Sequence, residues 1–390
     1  MTILHIITRM ILGGAQQNTV MTCASQAEAG HEVHLAHGPV FGPEGSLVDK
    51  ALETGTKLVC VRSMRRPILP LHDVCCYLAL RRLIRKIRPD IVHTHSAKAG
   101  ITGRFAAWHE NVPAVIHTIH GPPFHDYPPR WRHCCYVTCE RWAARRCHKM
   151  IGVAQTMCDT YLEMGIGTAD QYTTIYSGID VDLFEKRHGP REEGRRELGA
   201  TTDTPLVAIV ARLDRHKGQE DLLDIMPDLL RTHPNLKLIM IGDGWHRETI
   251  AARIDREQLT DHVILTGLVE PRRVAQLLQL ADVKVLPSYR EGTPRVMAQA
   301  LAAGCAIVGY KTGGIPEICI DGVTGRLVPV ADRAALADAI RDLIDHPDKR
   351  RDMVEAGRNI VHEKFDHRMM VEQIGRVYED ALAAAKIIAT

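Results

Sequence analysis

The chain has 390 residues, 45% of them apolar, 25% charged and 5% aromatic, and 49 Lys+Arg against 47 Asp+Glu leave a formal net charge of +2. That length suits two domains of ~150 residues each, and the near-neutral balance argues against nucleic acid as a partner. No apolar run approaches the ~18–20 residues of a spanning helix, and the N-terminus lacks the basic start and cleavage site of a secretion leader, so a cytoplasmic location is expected.

Short β-branched runs alternate with helix-length segments from the first residues onward. Residues 3–8, 32–37, 57–61, 91–93, 114–118, 150–153 and 173–175 are expected strands. Helices are expected at 16–29, stopped by Gly30, and at 71–86, followed by Pro89. This alternation predicts a doubly wound α/β domain with a parallel sheet. The stretch 177–200, charged and carrying Gly189-Pro190 and Gly194, reads as a break, after which the pattern restarts. Strands are expected at 206–210, 237–241, 263–266, 283–286 and 306–308, and helices at 219–231, 245–257, 272–280 and 294–303. From Asp366 to about Ala385 the apolar spacing of Met369, Met370, Ile374, Val377, Tyr378 and Leu382 predicts a last helix. Arriving after the second sheet is complete, it is expected to cross back to the first domain, with a hinge near Phe365.

Charge and cysteine are unevenly distributed. Residues 1–180 carry a net +5 and the remainder −3. One basic cluster is Arg62, Arg65 and Arg66 with Arg81, Arg82, Arg85, Lys86 and Arg88. The other, Arg130, Arg132, Arg141, Arg145, Arg146 and Lys149, is interleaved with Trp131, Tyr136 and Trp142. An anionic membrane surface is therefore a candidate partner, and solvated outer helix faces explain the same pattern equally well. Nine of the eleven cysteines precede residue 160, some as neighbours, which suits reduced thiols better than a disulfide framework. The run from His133 to His148 invites a zinc reading, but it has no C-x-x-C pair and reads as one continuous helix.

In open α/β sheets ligands bind beyond the carboxyl ends of the strands, so the residues there carry the chemistry. After the first strand, Gly13-Gly14-Ala15-Gln16 opens a helix with backbone amides available to an anion. It is not G-x-G-x-x-G, which weakens a dinucleotide reading. After the restart, Arg212 and Lys217 stand five apart on a βα loop before Gly218, a fork and a point charge suited to gripping a diphosphate. The stretch Pro287-Ser288-Tyr289-Arg290-Glu291-Gly292-Thr293-Pro294 follows a strand, with Thr293 expected as cap and Pro294 as the first helical residue. Amides of residues 292–295 would then lie beside the carboxylate of Glu291, as a sugar diphosphate requires. His93, His95, His117 and His125 are grouped with His120 at strand ends, and His93 and His95 share a face. One of them would touch donor or acceptor, and the rest would be structural.

These stretches together resemble the retaining family 4 glycosyltransferases (group 1 glycosyl transferases) of the GT-B fold. The resemblance rests on Arg212…Lys217-Gly218, on Glu291-Gly292-Thr293-Pro294 with Gln299 eight residues on, and on Gly313-Gly314-Ile315-Pro316-Glu317 with Asp321-Gly322-Val323-Thr324-Gly325. In the first half it rests on Gly13-Gly14, His93-Thr94-His95-Ser96, Thr118-Ile119-His120-Gly121 and Ser177-Gly178-Ile179-Asp180. It implies an α/β fold of two Rossmann-like domains facing a central cleft: an acceptor domain over residues 1–185, a donor domain over 200–364 and the returning helix over 365–390. It implies a hexosyltransferase in which Arg212 and Lys217 meet the donor diphosphate, joined by an amide of the Gly13-Gly14 turn. Glu291 would hold sugar hydroxyls, and Gly292, Thr293 and Pro294 would line sugar and phosphate. Gly242, Gly244, Leu268 and Val269 would border the base, and His120 would be the active-site histidine, with His95 and His125 on the acceptor side.

The family pattern has Glu at both ends of the eight-residue interval, whereas here the second is Gln299, which would meet the ribose without a charge. The resemblance implies a front-face route in which the leaving phosphate takes the acceptor's proton. With Arg212, Lys217 and helix N-termini neutralising charge, no metal and no cofactor are expected. A UDP-sugar is the first expectation for the donor and GDP-mannose the second. A lipid-linked saccharide of cell-envelope or exopolysaccharide synthesis is the expected acceptor. A sugar-nucleotide binder without transfer and a GT-B 2-epimerase are the rival readings.

Overall fold

The computed structural model describes residues 1–40, 45–121 and 130–389. The chain forms two compact units, Met1–Gly178 with His367–Thr390 and Ile179–Asp366.

The first unit is built on seven parallel strands. These are β1 (Thr2–Ile7), β2 (Glu32–His37), β3 (Lys57–Cys60), β4 (Ile91–His95), β5 (Ala114–Ile119), β6 (Lys149–Gly152) and β7 (Tyr172–Thr174). Their order across the sheet is β3-β2-β1-β4-β5-β6-β7, so the winding reverses between β1 and β4, where such sheets open a crevice. His5 pairs in register with His93, and Ile7 with His95. On one face Leu4, Ile6, Val92 and Val115 pack against Leu80 and Ile84 of the Pro70–Ile87 helix and Ala99, Ala106 and Ala107 of the Ala97–His109 helix.

The other face explains the chain's return. Ile3, Ile91, Ala114, Ile116, Ile151 and Ile175 form an apolar surface covered by Met370, Ile374, Val377, Tyr378 and Ala381. Those five residues recur at helical spacing on the His367–Ala389 helix, so the stripe seen in the sequence is the seam that fills this face. The crossing back expected of this helix is observed. Where it leaves, Gly178 and His367 run side by side, and a Cβ on Gly178 would lie 2.5 Å from His367 Cα.

The second unit carries six parallel strands, β8 (Leu206–Val210), β9 (Lys237–Ile241), β10 (Val263–Gly267), β11 (Val283–Leu286), β12 (Ala306–Tyr310) and β13 (Gly325–Val328). Their order is β10-β9-β8-β11-β12-β13, with the reversal between β8 and β11. The edge strand β13 and the helices Arg333–Asp345 and Pro347–Ile360 were not among the expected elements.

The stretch 177–200 is not an open linker. It contains the helices Val181–Glu185 and Arg191–Glu197, both within the second unit. Arg195 anchors it: its buried guanidinium donates to the Leu280 carbonyl at 2.7 Å and the Thr201 carbonyl at 2.9 Å, and also to Thr204. Of its charged groups, Arg195 is spent on these carbonyls rather than on solvent.

The expected single helix over His133 to His148 is shorter, Arg130–Ala144, and leaves Cys147 and His148 outside it. Both have structural partners. Cys147 Sγ donates to Lys149 O at 3.1 Å, and His148 Nδ1 accepts from the Val115 amide at 2.9 Å. All eleven cysteines are free thiols.

Candidate active site

In the second unit the loops after β8, β9, β10 and β11 are sewn together through their backbones. The Ala211 amide donates to Ile241 O, Leu213 to Asp243 O, and Gly242 to Gly267 O. Tyr289 N donates to His216 O, bringing the loop after β11 onto the loop after β8. Three glycines permit this closeness. A Cβ would lie 2.0 Å from Pro287 O at Gly218, 2.2 Å from Ala211 O at Gly242 and 2.3 Å from Leu213 O at Gly244. Gly218 also has φ +71°, a conformation that side chains resist. Gly313, at φ +50°, holds the Glu291 carbonyl from the next loop, 2.0 Å from where its Cβ would stand.

This lattice brings Lys217 Nζ to 2.7 Å from Glu291 Oε1. The two residues were expected to take different parts of a ligand, and here they form an ion pair with side chains 24% and 12% exposed. Arg212 is half exposed beside Asp214, at 3.7 Å, and its carbonyl accepts from Gln219 Nε2 at 2.9 Å. Gly242 and Gly244 flank Asp243, whose carboxylate accepts from the Gly244 amide at 2.7 Å and faces Arg247 at 3.5 Å. Leu268 is exposed and Val269 half-buried at the adjoining end of β10.

Behind the loop of Glu291 stands a buried acid that the sequence reading missed. Asp221 accepts from Tyr289 OH at 2.7 Å, from Tyr310 OH at 2.9 Å and from Arg333 Nε at 3.0 Å. Two tyrosines on one carboxylate fix the loop's root, and only the arrangement of three separate segments reveals it.

The helix after this loop starts one residue later than expected, at Arg295, with Pro294 as its cap at φ −80° and ψ 74°. The amide array expected over residues 292–295 is correspondingly shorter. Pro294 has no amide hydrogen, and the Arg295 amide donates to Thr293 O at 2.9 Å, so neither contributes an unspent amide to that array. The Gly292 carbonyl accepts from Gly314 at 3.0 Å. Arg295 is nearly buried, and burial lowers its pKa to about 10. Gln299 lies half-buried on the helix, without a side-chain hydrogen bond among the described residues.

In the first unit Gly13 caps the Gly14–Glu28 helix in extended backbone, and nothing lies within 4 Å of where a Gly14 Cβ would stand. The histidines divide. His117 belongs to the opposite face from His93 and His95: it bonds Thr94 Oγ1 at 2.9 Å and leaves room only for Gly100, whose Cβ would lie 2.5 Å from its ring. It is thereby removed from the cluster grouped with His120. In its place stands His5, unremarked in the sequence because its strand position carries no motif. His5 Nδ1 is 3.0 Å from His95 Nε2, and His95 Nδ1 is 3.1 Å from His120 Nε2. His125 lies outside the described residues.

Burial lowers the pKa of His5 to about 4, against a raising hydrogen bond from Gln26, and holds His93 and His95 well below the ordinary range. His5, His93 and His95 bring ligand atoms within 4.8 Å of one another. All six ring nitrogens nevertheless have protein partners, including His93 with Tyr378 OH at 2.6 Å and Thr118 Oγ1 at 2.7 Å. A metal there would have to break that satisfied buried network, so the group reads as a hydrogen-bonded core rather than a centre.

Residues 12–183 match the family Glycosyltransferase Family 4, and residues 190–360 match Glycosyl transferases group 1. Among curated relatives, the D-inositol 3-phosphate glycosyltransferase of Acidothermus cellulolyticus is 27% identical over 344 residues, covering 83% of this chain and 75% of that one. The glycogen synthase of Mycobacterium tuberculosis is 28% identical over 304 residues, covering 75% and 69%. Among solved structures, HepE of Anabaena in complex with UDP superposes with a TM-score of 0.82 at 20% identity, covering 97% of this chain and all of that one. HepE has also been solved with UDP-glucose.

Proposed function

The chain belongs to the group 1 glycosyl transferases and has the two Rossmann-like parallel-sheet units of the GT-B fold, and from that membership we propose a retaining transfer of a hexose from a nucleotide sugar, UDP-linked, to a saccharide acceptor. The observation that carries this reading is the Lys217–Glu291 pair at the meeting of two βα loops, a cation for phosphate beside an acceptor of hydroxyl bonds. A bound donor separates the pair's duties. Lys217 and Arg212 turn to the diphosphate, while Glu291 takes sugar hydroxyls beside Gly292, Thr293 and Pro294; for the Gly13-Gly14 turn of the first unit the resemblance implies a phosphate-binding amide. Gly242, Gly244, Leu268 and Val269 border the base, Gln299 meets the ribose, and His120 stands at the donor sugar.

With cations and backbone amides neutralising the leaving group, the reading includes metal independence. Activity surviving EDTA supports that part, and activity lost with EDTA and restored by Mn²⁺ or Mg²⁺ overturns it. UDP is favoured as the nucleotide because the HepE complexes hold UDP and UDP-glucose, with GDP-mannose as the second candidate. A lipid-linked acceptor at an anionic membrane surface is supported by the first unit. Ile68, Leu71, Val74 and Leu78 are exposed there, with Arg62, Arg82 and Lys86 lining a groove alongside. Trp142 with Arg145 and Arg146 lines a second groove, and no helix among the described residues is long and apolar enough to cross a membrane. The proposed reading therefore includes work at an anionic membrane surface, on the cytoplasmic side expected from the sequence.

The test is a thermal-shift panel of nucleotides and nucleotide sugars, followed by transfer from the best donor with the product anomer read by NMR. Stabilisation by UDP and a product of unchanged anomeric configuration are expected; an inverted anomer overturns the retaining assignment. Gln299 in place of the usual carboxylate favours one second reading, a donor-binding protein without turnover, which the same panel separates by stabilisation without transfer.

A further inference from the structure

Gln26, His5, His95 and His120 form one unbroken line of hydrogen-bonded side chains in the first unit. Gln26 Oε1 lies 2.8 Å from His5 Nε2, while its amide nitrogen donates to Tyr378 OH at 3.2 Å. His5 Nδ1 meets His95 Nε2 at 3.0 Å, and His95 Nδ1 meets His120 Nε2 at 3.1 Å. His5, His95 and Gln26 are 0%, 1% and 4% exposed, whereas His120 at the end of the line is half-buried. We infer that Gln26, His5 and His95 are positioning residues that lock His120 in its Nε2–H tautomer, with Nδ1 as a hydrogen-bond acceptor.

The lock follows from counting protons. A carboxamide oxygen only accepts, so His5 Nε2 must carry the hydrogen. A neutral imidazole has one ring hydrogen, so His5 Nδ1 accepts and His95 Nε2 donates to it. By the same rule His95 Nδ1 accepts from His120 Nε2, and His120 is left with Nδ1 bare of hydrogen. Burial disfavours the charged form of His5 and His95, which keeps the rule of one hydrogen in force. The orientation of the Gln26 amide, with Oε1 towards His5 and the amide nitrogen towards Tyr378, sets the direction of the whole line. The Gln26 amide group donates to Tyr378, whose hydroxyl donates onward to His93 Nδ1, and His93 Nε2 then donates to Thr118. Turning the Gln26 amide over would reverse every bond and give His120 the Nδ1–H form.

A proton gained at His120 Nδ1 also has nowhere to go inward, because the line ends on an amide that cannot take it. The line is a lock and not a relay. It rests on the proposed placement of His120 at the sugar, where it would make the neutral imidazole accept a hydroxyl hydrogen rather than donate one.

The experiment reads the tautomer directly. The full chain, labelled with ¹⁵N-histidine, is examined by ¹⁵N–¹H correlation NMR, with the His120 signals assigned by their loss in His120→Asn. The wild type is expected to show Nε2–H at His120. Gln26→Leu and, as a second variant, His5→Phe are expected to give mixed tautomers, with kcat reduced about fivefold, the worth of one net hydrogen bond, and donor KM little changed. An Nδ1–H form in the wild type overturns the inference, as does an unaltered tautomer in a folded variant. The wild-type spectrum decides even if neither variant folds. Full transfer by His120→Asn would instead overturn the placement of His120 at the sugar, and the tautomer measured in the same chain would still judge the lock.

Discussion

Lys217 Nζ and Glu291 Oε1 stand 2.7 Å apart although 74 residues separate them, because the loop after β8 and the loop after β11 lie side by side where the second sheet reverses its winding. Each residue neutralises the other until a ligand competes for both. Lys217→Ala leaves the Glu291 carboxylate unpaired and, in the proposed reading, removes the cation that would meet the leaving phosphate. A loss of ~10²–10³ in kcat is expected, the usual effect of removing one preorganised charge-stabilising donor. Steady-state transfer assays check it, and a wild-type rate in the variant would remove Lys217 from the chemistry.

Gly218 supports that pair without touching it. Alanine there meets both a left-handed backbone, φ +71°, and the Pro287 carbonyl at 2.0 Å. The strain alone costs ~1–3 kcal/mol, and relieving the clash pushes the two loops apart. Gly218→Ala should therefore lower the melting temperature by several degrees and weaken donor binding together. Calorimetry with donor titration measures both, and a variant that melts lower but binds donor normally would show that loop closeness does not matter to the site.

Gln299 is the position where the sequence departs from its family. If Gln299 meets the ribose as proposed, a carboxylate there would replace a neutral hydrogen bond by a charge-assisted one, a gain of ~1 kcal/mol. Gln299→Glu is expected to lower the donor KM about fivefold with kcat nearly unchanged. An unchanged KM would show that this residue does not meet the donor.

Two buried bases set windows of pH-dependent stability. Lys284, fully buried on β11 with Met297 Sδ at 3.1 Å, has its pKa lowered by burial from 10.5 to about 7. Below pH 7 it is charged in folded and unfolded chain alike, so the burial penalty is complete. Between about 7 and 10.5 the unfolded chain binds the extra proton, and stability rises with pH by up to ~1.4 kcal/mol per unit. Lys284→Met should melt higher than wild type at pH 7, with the gap closing towards pH 10. His5, lowered from 6.5 to about 4, acts in the same sense at lower pH, so stability drains away as pH falls from 6.5 to 4. Melting curves at stepped pH test both windows, and a constant gap between Lys284→Met and wild type would refute the first.

Much of this was legible in the residues. Strands such as 206–210, 237–241 and 283–286 coincide with β8, β9 and β11, because two-faced burial in a parallel sheet writes a run of β-branched and aliphatic residues that needs no neighbour to be read. Arg212, Lys217 and Glu291 stood out because the carboxyl end of a strand is a local property of the chain. The stripe on the last helix was equally plain, since period 3.6 is local too. Which surface the stripe covers, that His5 stands beside His95 while His117 faces away, and that Lys217 meets Glu291 depend instead on strand order and register. Those are fixed by the summed packing of segments up to hundreds of residues apart, and no window of sequence contains that sum.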